Sequence, residues 1–127
     1  MKVTAKFEIT AWENTAYEEP DEGPPLGTAN ITKTYTGAVE GTGTVRMLAC
    51  QAGDKPEDGA GYMAQERVVG TLEGKKGSFV LHHGAVGDAE NMNQYGYIIP
   101  GSATGELKGL KGTCVVNHGV LDLNYTL

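Results

Sequence analysis

Glu66 and His83 are the residues of this chain best suited to acid–base chemistry. They lie in the stretch whose strand register can be counted most easily, YMAQERVVGTLEGKKGSFVLHH from Tyr62 to His83. Glu73-Gly74-Lys75-Lys76-Gly77 is a turn signal between two runs rich in Val, Thr, Phe and Leu. A two-residue loop at Gly74-Lys75, with glycine first, sets Glu73 opposite Lys76, Val68 opposite Leu81 and Glu66 opposite His83. Strand side chains alternate between faces. Glu66, Val68, Leu72, Phe79, Leu81 and His83 then share the more apolar, inward face, and His82 turns outward. A three-residue loop reverses this and puts His82 beside Glu66.

A carboxylate and an imidazole on an apolar face can act as a general base and acid, because burial and mutual contact shift both titrations. Tyr97 is then a candidate hydrogen-bond donor to a developing oxyanion. The alternative is structural. Glu66 and His83 satisfy each other, or Glu66 pairs with Arg46, since a charge is seldom buried without a partner.

A near-repeat extends the candidate set. GTLEGKKGSFVLHHGAV from Gly70 and GELKGLKGTCVVNHGVL from Gly105 share eight of seventeen positions. Recurrent use of one glycine-rich turn accounts for this, and so does an internal duplication. Equal registers place His118 where His83 sits and Cys114 where Phe79 sits, both inward. Glu66, His83, Cys114 and His118 match no zinc-ligand spacing, so no metal and no cofactor is expected.

The elements that must position these groups are strands. Val3, Ala5, Phe7, Ile9 and Ala11 alternate with polar residues, and Trp12 ends that strand on the opposite face. Further strands are expected near Leu26–Thr36, Val39–Cys50, either side of the central turn, Asn93–Ile99, Thr113–Asn117 and Val120–Leu127. A helical turn is expected at Gly105–Leu110, and Gly41 and Gly43 read as a bulge or tight corner. In the sixth strand Tyr95, Tyr97 and Ile99 share a face. The reading is one all-β domain, an eight-stranded antiparallel β-barrel with at most short helical turns, spanning 1–127. Such a ring encloses packed side chains or one small ligand. Val68, Phe79, Leu81, Leu123 and Tyr125 would line its interior, with Tyr62 beside the opening.

Composition bounds the partners. The formal net charge is −6 and no basic stripe interleaves with aromatics, which argues against nucleic acid. No apolar run approaches a membrane span, and no secretory leader is visible, so a cytoplasmic chain is expected. Cys50 and Cys114 lie far apart and read as reduced, buried thiols. In an up-and-down order, one end collects Glu13, Glu18, Glu19, Asp21, Glu22, Asp54, Glu57, Asp58, Asp88 and Glu90 against Lys55. The other end collects Lys75, Lys76, Lys108 and Lys111. An acidic mouth favours neutral or cationic ligands over anions.

The run QERVVGTLEGKKGSFVLHHG resembles "ERxxGTLxGRxGSFVLQHxG", the signature of the bacterial domain-of-unknown-function family 3224. PGSATGELKGLKGTC, LDLNYTL and KFEITAWEN resemble other stretches of the same family, so the likeness spans nearly the whole chain. The family is similar in fold to allene oxide cyclase and the dirigent proteins. The resemblance implies an eight-stranded barrel and assembly into a homo-oligomer, a dimer or trimer. It implies no activity, and fold alone does not supply one. Three functions stay open: a small-molecule-binding barrel, a cofactor-independent isomerase or cyclase using Glu66 and His83, and an oligomerisation module with a filled interior.

Overall fold

A computed structural model describes all 127 residues. The strands are β1 (Lys2–Glu18), β2 (Leu26–Gly37), β3 (Val39–Gln51), β4 (Ala60–Leu72), β5 (Lys75–Gly87), β6 (Met92–Ile98), β7 (Lys111–Asn117) and β8 (Val120–Thr126). They form a closed ring in chain order, each antiparallel to its neighbour, with β8 returning to β1. The only helical elements are 3-10 turns at Pro56–Asp58 and Gly105–Leu107. No helix is long and apolar enough to cross a membrane.

The ring is uneven. β4 pairs along thirteen positions with β3 and thirteen with β5, whereas β6 meets β7 at the single pair Tyr97–Thr113. Below that seam, residues 99–104 take over. The Ile99 and Thr104 amides donate to the Val80 and Ser78 carbonyls, and the Ser102 and Thr104 hydroxyls accept from the Val80 and Ser78 amides. The segment then drives Leu107 and Leu110 into the end of the ring, where both are fully buried. They join Val39, Leu72, Phe79, Leu121 and neighbours in the main core. The end carrying the lysine-rich turns is therefore plugged.

The central turn differs from its expected form. Leu72 pairs with Lys75, so Glu73-Gly74 is the loop. Both residues have positive φ, 48° and 81°, the type I′ geometry that matches strand twist. The register moves by two residues, which preserves parity. Glu66 faces Leu81 and His83 faces Ala64, while both side chains remain inward as expected.

Three strand details also depart from expectation. β1 runs on through Glu18 instead of ending at Trp12. Its pairing with β2 slips between Ile9 and Ala11, and this bulge turns Trp12 inward opposite Ile31. Gly41 and Gly43 hold unbroken register on both sides of β3, so no bulge lies there. In β6 the inward residues are Gly96 and Ile98, both buried, and Tyr97 is half exposed on the outer face.

Candidate functional site

Above the plugged core sits a layer of buried polar groups. Glu66 is fully buried, and Lys33 and His83 nearly so. Lys33 Nζ and His83 Nε2 both reach Glu66 Oε1, each at 3.1 Å. The Tyr35 hydroxyl donates to Oε2. Tyr62 Oη lies 3.2 Å from His83 Nδ1, and Lys33 Nζ lies 4.0 Å from the centre of the Phe7 ring. No buried side-chain nitrogen or oxygen lacks a partner.

Register explains how these groups meet. Alternation along β2 sends Ala29, Ile31, Lys33 and Tyr35 inward. Lys33 stands opposite Gly43 and Tyr35 opposite Gly41. Both glycines leave β3 without an inward side chain at that height. The β2 side chains thus cross β3 to reach Glu66 on β4. A methyl group on Gly43 would overlap the Glu66 carboxylate and the Tyr35 ring. Arg46, the alternative partner for Glu66, is exposed on the outer face.

Electrostatics favour an ionised Glu66. Burial alone would raise its pKa, but the His83 hydrogen bond, the Lys33 charge and the Tyr35 hydroxyl together bring it below the usual carboxyl value. Burial, reinforced by the Glu66 charge, pushes the Tyr35 phenol upward. Burial, with smaller contributions from Cys114 and Glu66, lifts Tyr62 to about 12. Burial lifts Cys114 to about 12 as well.

Toward the other end the ring is hollow. A cavity of about 920 Å³ has Lys33, Tyr62 and His83 among its lining, with Ile9, Trp12, Ile31, Val45 and Met47 along its walls. The connections β1–β2, β3–β4, β5–β6 and β7–β8 surround its opening. Their Glu19, Asp21, Glu22, Asp54, Glu57, Asp58, Asp88 and Glu90 are all exposed. The Ala89 amide donates to the Glu57 carbonyl, tying two of these connections together at the rim.

The structure redistributes the residues singled out from sequence. Tyr62 and His83 line the cavity, and Glu66 braces them from below. Val68, Phe79, Leu81, Cys114, Leu123 and Tyr125 point inward but belong to the packed core beneath. Tyr97 faces outward. His118, with φ of 42°, forms the tip of the β7–β8 turn, because β7 ends at Asn117, just before the position matching His83. It is exposed at the rim of the cavity, which it lines together with His83. Nowhere do three or more His, Cys, Asp or Glu side chains converge as a metal-ligating group. Lys33, Tyr35 and Trp12 are the additions. The inward alternation of Ala29, Ile31 and Tyr35 is the signal that would have found Lys33.

Residues 3–126 match the family model described as "Protein of unknown function (DUF3224)". The chain belongs to the DUF3224 family. A crystal structure of a DUF3224 protein of unknown function from Shewanella oneidensis MR-1 is 32% identical, with a TM-score of 0.87, over 100% of this chain and 96% of that one. Among curated proteins, none matches. Family membership thus fixes the DUF3224 fold and leaves the chemistry to be read from the polar layer and its cavity.

Proposed function

We propose that the protein binds one small, largely apolar, neutral or cationic molecule at the acidic end of the ring, which we read as an allene-oxide-cyclase-like barrel with a hollow mouth. The cavity carries this reading. Its volume of about 920 Å³ suits a drug-sized molecule, and its apolar wall with a few convergent polar groups is the usual composition of a ligand pocket. The charge of Lys33 is met by Glu66, so the floor offers hydrogen bonds and not a net charge. The acidic rim disfavours anions on approach.

A wholly filled ring would serve only as an assembly module, and the hollow upper half weighs against that. Assembly is still part of the proposal. Leu48, Met63 and Val86 are 45%, 51% and 55% exposed on neighbouring strands, a surface compatible with a dimer or trimer. The test of binding is titration with Nile red, a neutral apolar dye, alongside native mass spectrometry of the purified protein. Saturable uptake at one site per chain, or a co-purified small molecule, is expected. Absence of both dye uptake and a bound molecule would overturn the reading.

A further inference from the structure

We infer that Tyr62 is a proton-transfer residue for a ketone ligand, exchanging a proton at the carbon next to the carbonyl, with His83 and Glu66 as its positioning partners and Lys33 as the donor to the enolate oxygen. The inference rests on the cavity being a binding site and adds a reaction class to it.

Protonation states follow from the partners. Glu66, as a carboxylate, can only accept. His83 Nε2, 3.1 Å from Glu66 Oε1, therefore carries the proton. In the neutral ring Nδ1 is then bare, and it accepts from the Tyr62 hydroxyl at 3.2 Å. The two hydrogen bonds run in one direction, from Tyr62 through His83 to Glu66. The Tyr62 oxygen keeps lone-pair capacity at the cavity wall. Its phenol, lifted to about 12, stays intact at neutral pH and loses its proton only as another arrives.

The step balances without a cofactor. The Tyr62 oxygen takes the proton from the α-carbon as its own proton passes to His83 Nδ1. The C–H bonding pair becomes the C=C bond, and the carbonyl π pair moves onto oxygen. Lys33 lines the same cavity and has a single hydrogen bond to a protein group, with Glu66. Its ammonium has N–H groups left for that oxygen. The resulting imidazolium is held by the Glu66 carboxylate. Return of the proton through Tyr62 to the same carbon gives exchange, and to a conjugated carbon gives a double-bond isomer. Nothing is oxidised or reduced.

The test uses 2-tetralone, an apolar ketone with acidic α-hydrogens, in deuterated water. Proton NMR follows α-deuterium incorporation, and quenching of the single tryptophan, Trp12, reports the dissociation constant. Wild-type protein should accelerate exchange above buffer. Tyr62→Phe and His83→Gln should each lose that acceleration by about 100-fold, the scale of one general acid–base group, while Tyr62→Phe still binds 2-tetralone and keeps the wild-type circular dichroism. A purely structural Tyr62 would leave exchange untouched. Binding without acceleration, or full acceleration in Tyr62→Phe, overturns the proton-transfer role and leaves the binding site standing. Failure of 2-tetralone and Nile red alike to bind overturns the binding site itself.

Discussion

Lys33 on β2 reaches Glu66 on β4 across an intervening strand, Nζ to Oε1 at 3.1 Å, because Gly43 gives β3 no side chain at that height. The contact decides what the middle of the ring is. A lysine and a glutamate that are 5% and 0% exposed carry a heavy desolvation penalty, offset only when hydrogen bonds satisfy both. Tyr35 and His83 complete the set on Glu66. The polar layer is thus one unit, and its members should not be separable by mutation.

Gly43→Ala should therefore act as a core substitution despite adding one methyl group. The methyl would occupy the seat of the Glu66 carboxylate and the Tyr35 ring, and overpacking of this kind costs about 1–3 kcal/mol. Urea unfolding should show a lower midpoint with an unchanged slope. A variant as stable as wild type would mean that Lys33 and Tyr35 do not depend on that gap.

Removing one charge of the pair should hurt more than removing both. Glu66→Gln leaves Lys33 buried without a counter-charge, a loss of about 3–5 kcal/mol. Adding Lys33→Met removes the stranded ammonium and should recover most of it, since the introduced amide oxygen can still accept from Tyr35 or His83. The double-mutant cycle measures this coupling. Additive losses would show that the two residues are independent.

Much of this layer is legible in the sequence, and the exceptions have physical causes. The inward placement of Glu66 and His83 survives a register error of two residues because strand parity has a period of two. The loop position misleads because type I′ turns favour Asn, Asp or Gly at the first central site, and here Glu73 occupies it. Lys33 escapes notice because a lysine in a strand reads as solvent-facing, although its neighbours at even spacing are buried. Trp12 reads onto the wrong face because a bulge carries no composition signal in KFEITAWEN. Tyr97 reads inward because the aromatics set the expected parity of β6. The inward residue is Gly96, whose missing side chain leaves room for Cys114.

Stability should fall on the acid side in a way that reports Glu66. Its folded pKa is depressed, so the contribution is present in full above the ordinary carboxyl value of 4.5 and is lost as pH drops through the folded value. Thermal unfolding of the wild type should weaken progressively below about pH 4.5. The Lys33→Met, Glu66→Gln double variant has no such carboxylate, and its acid limb should be shallower. Parallel limbs would place the acid sensitivity in other groups, the exposed rim carboxylates first.

The two thiols should separate cleanly. Cys114 is buried, and burial together with the Glu66 charge lifts it to about 12, so almost no thiolate exists at neutral pH. Cys50 is half-buried near the rim. Native protein should therefore react with a disulfide reagent such as DTNB at one thiol and denatured protein at two. Rapid reaction of both in the native state would mean that β7 opens readily, which its single bridge to β6 makes the weakest point of the ring.

Filling the upper cavity should abolish ligand uptake and leave the core alone. Ala29 is buried on the inner face among the residues that line the hollow half, in a small cluster with Ile31, Val45 and Ala64 that is separate from the main core. A phenylalanine there projects into space that a ligand would use, beside Met47 and Tyr62. Ala29→Phe should lose Nile red uptake by at least about tenfold, the equivalent of 1.4 kcal/mol, while the urea midpoint stays near wild type. Phe79→Ala is the opposite case. It empties the packed lower half, where a buried phenylalanine contributes about 3–5 kcal/mol, and should cut stability without removing the dye site. Equal dye binding in wild type and Ala29→Phe would put the dye somewhere other than the mouth.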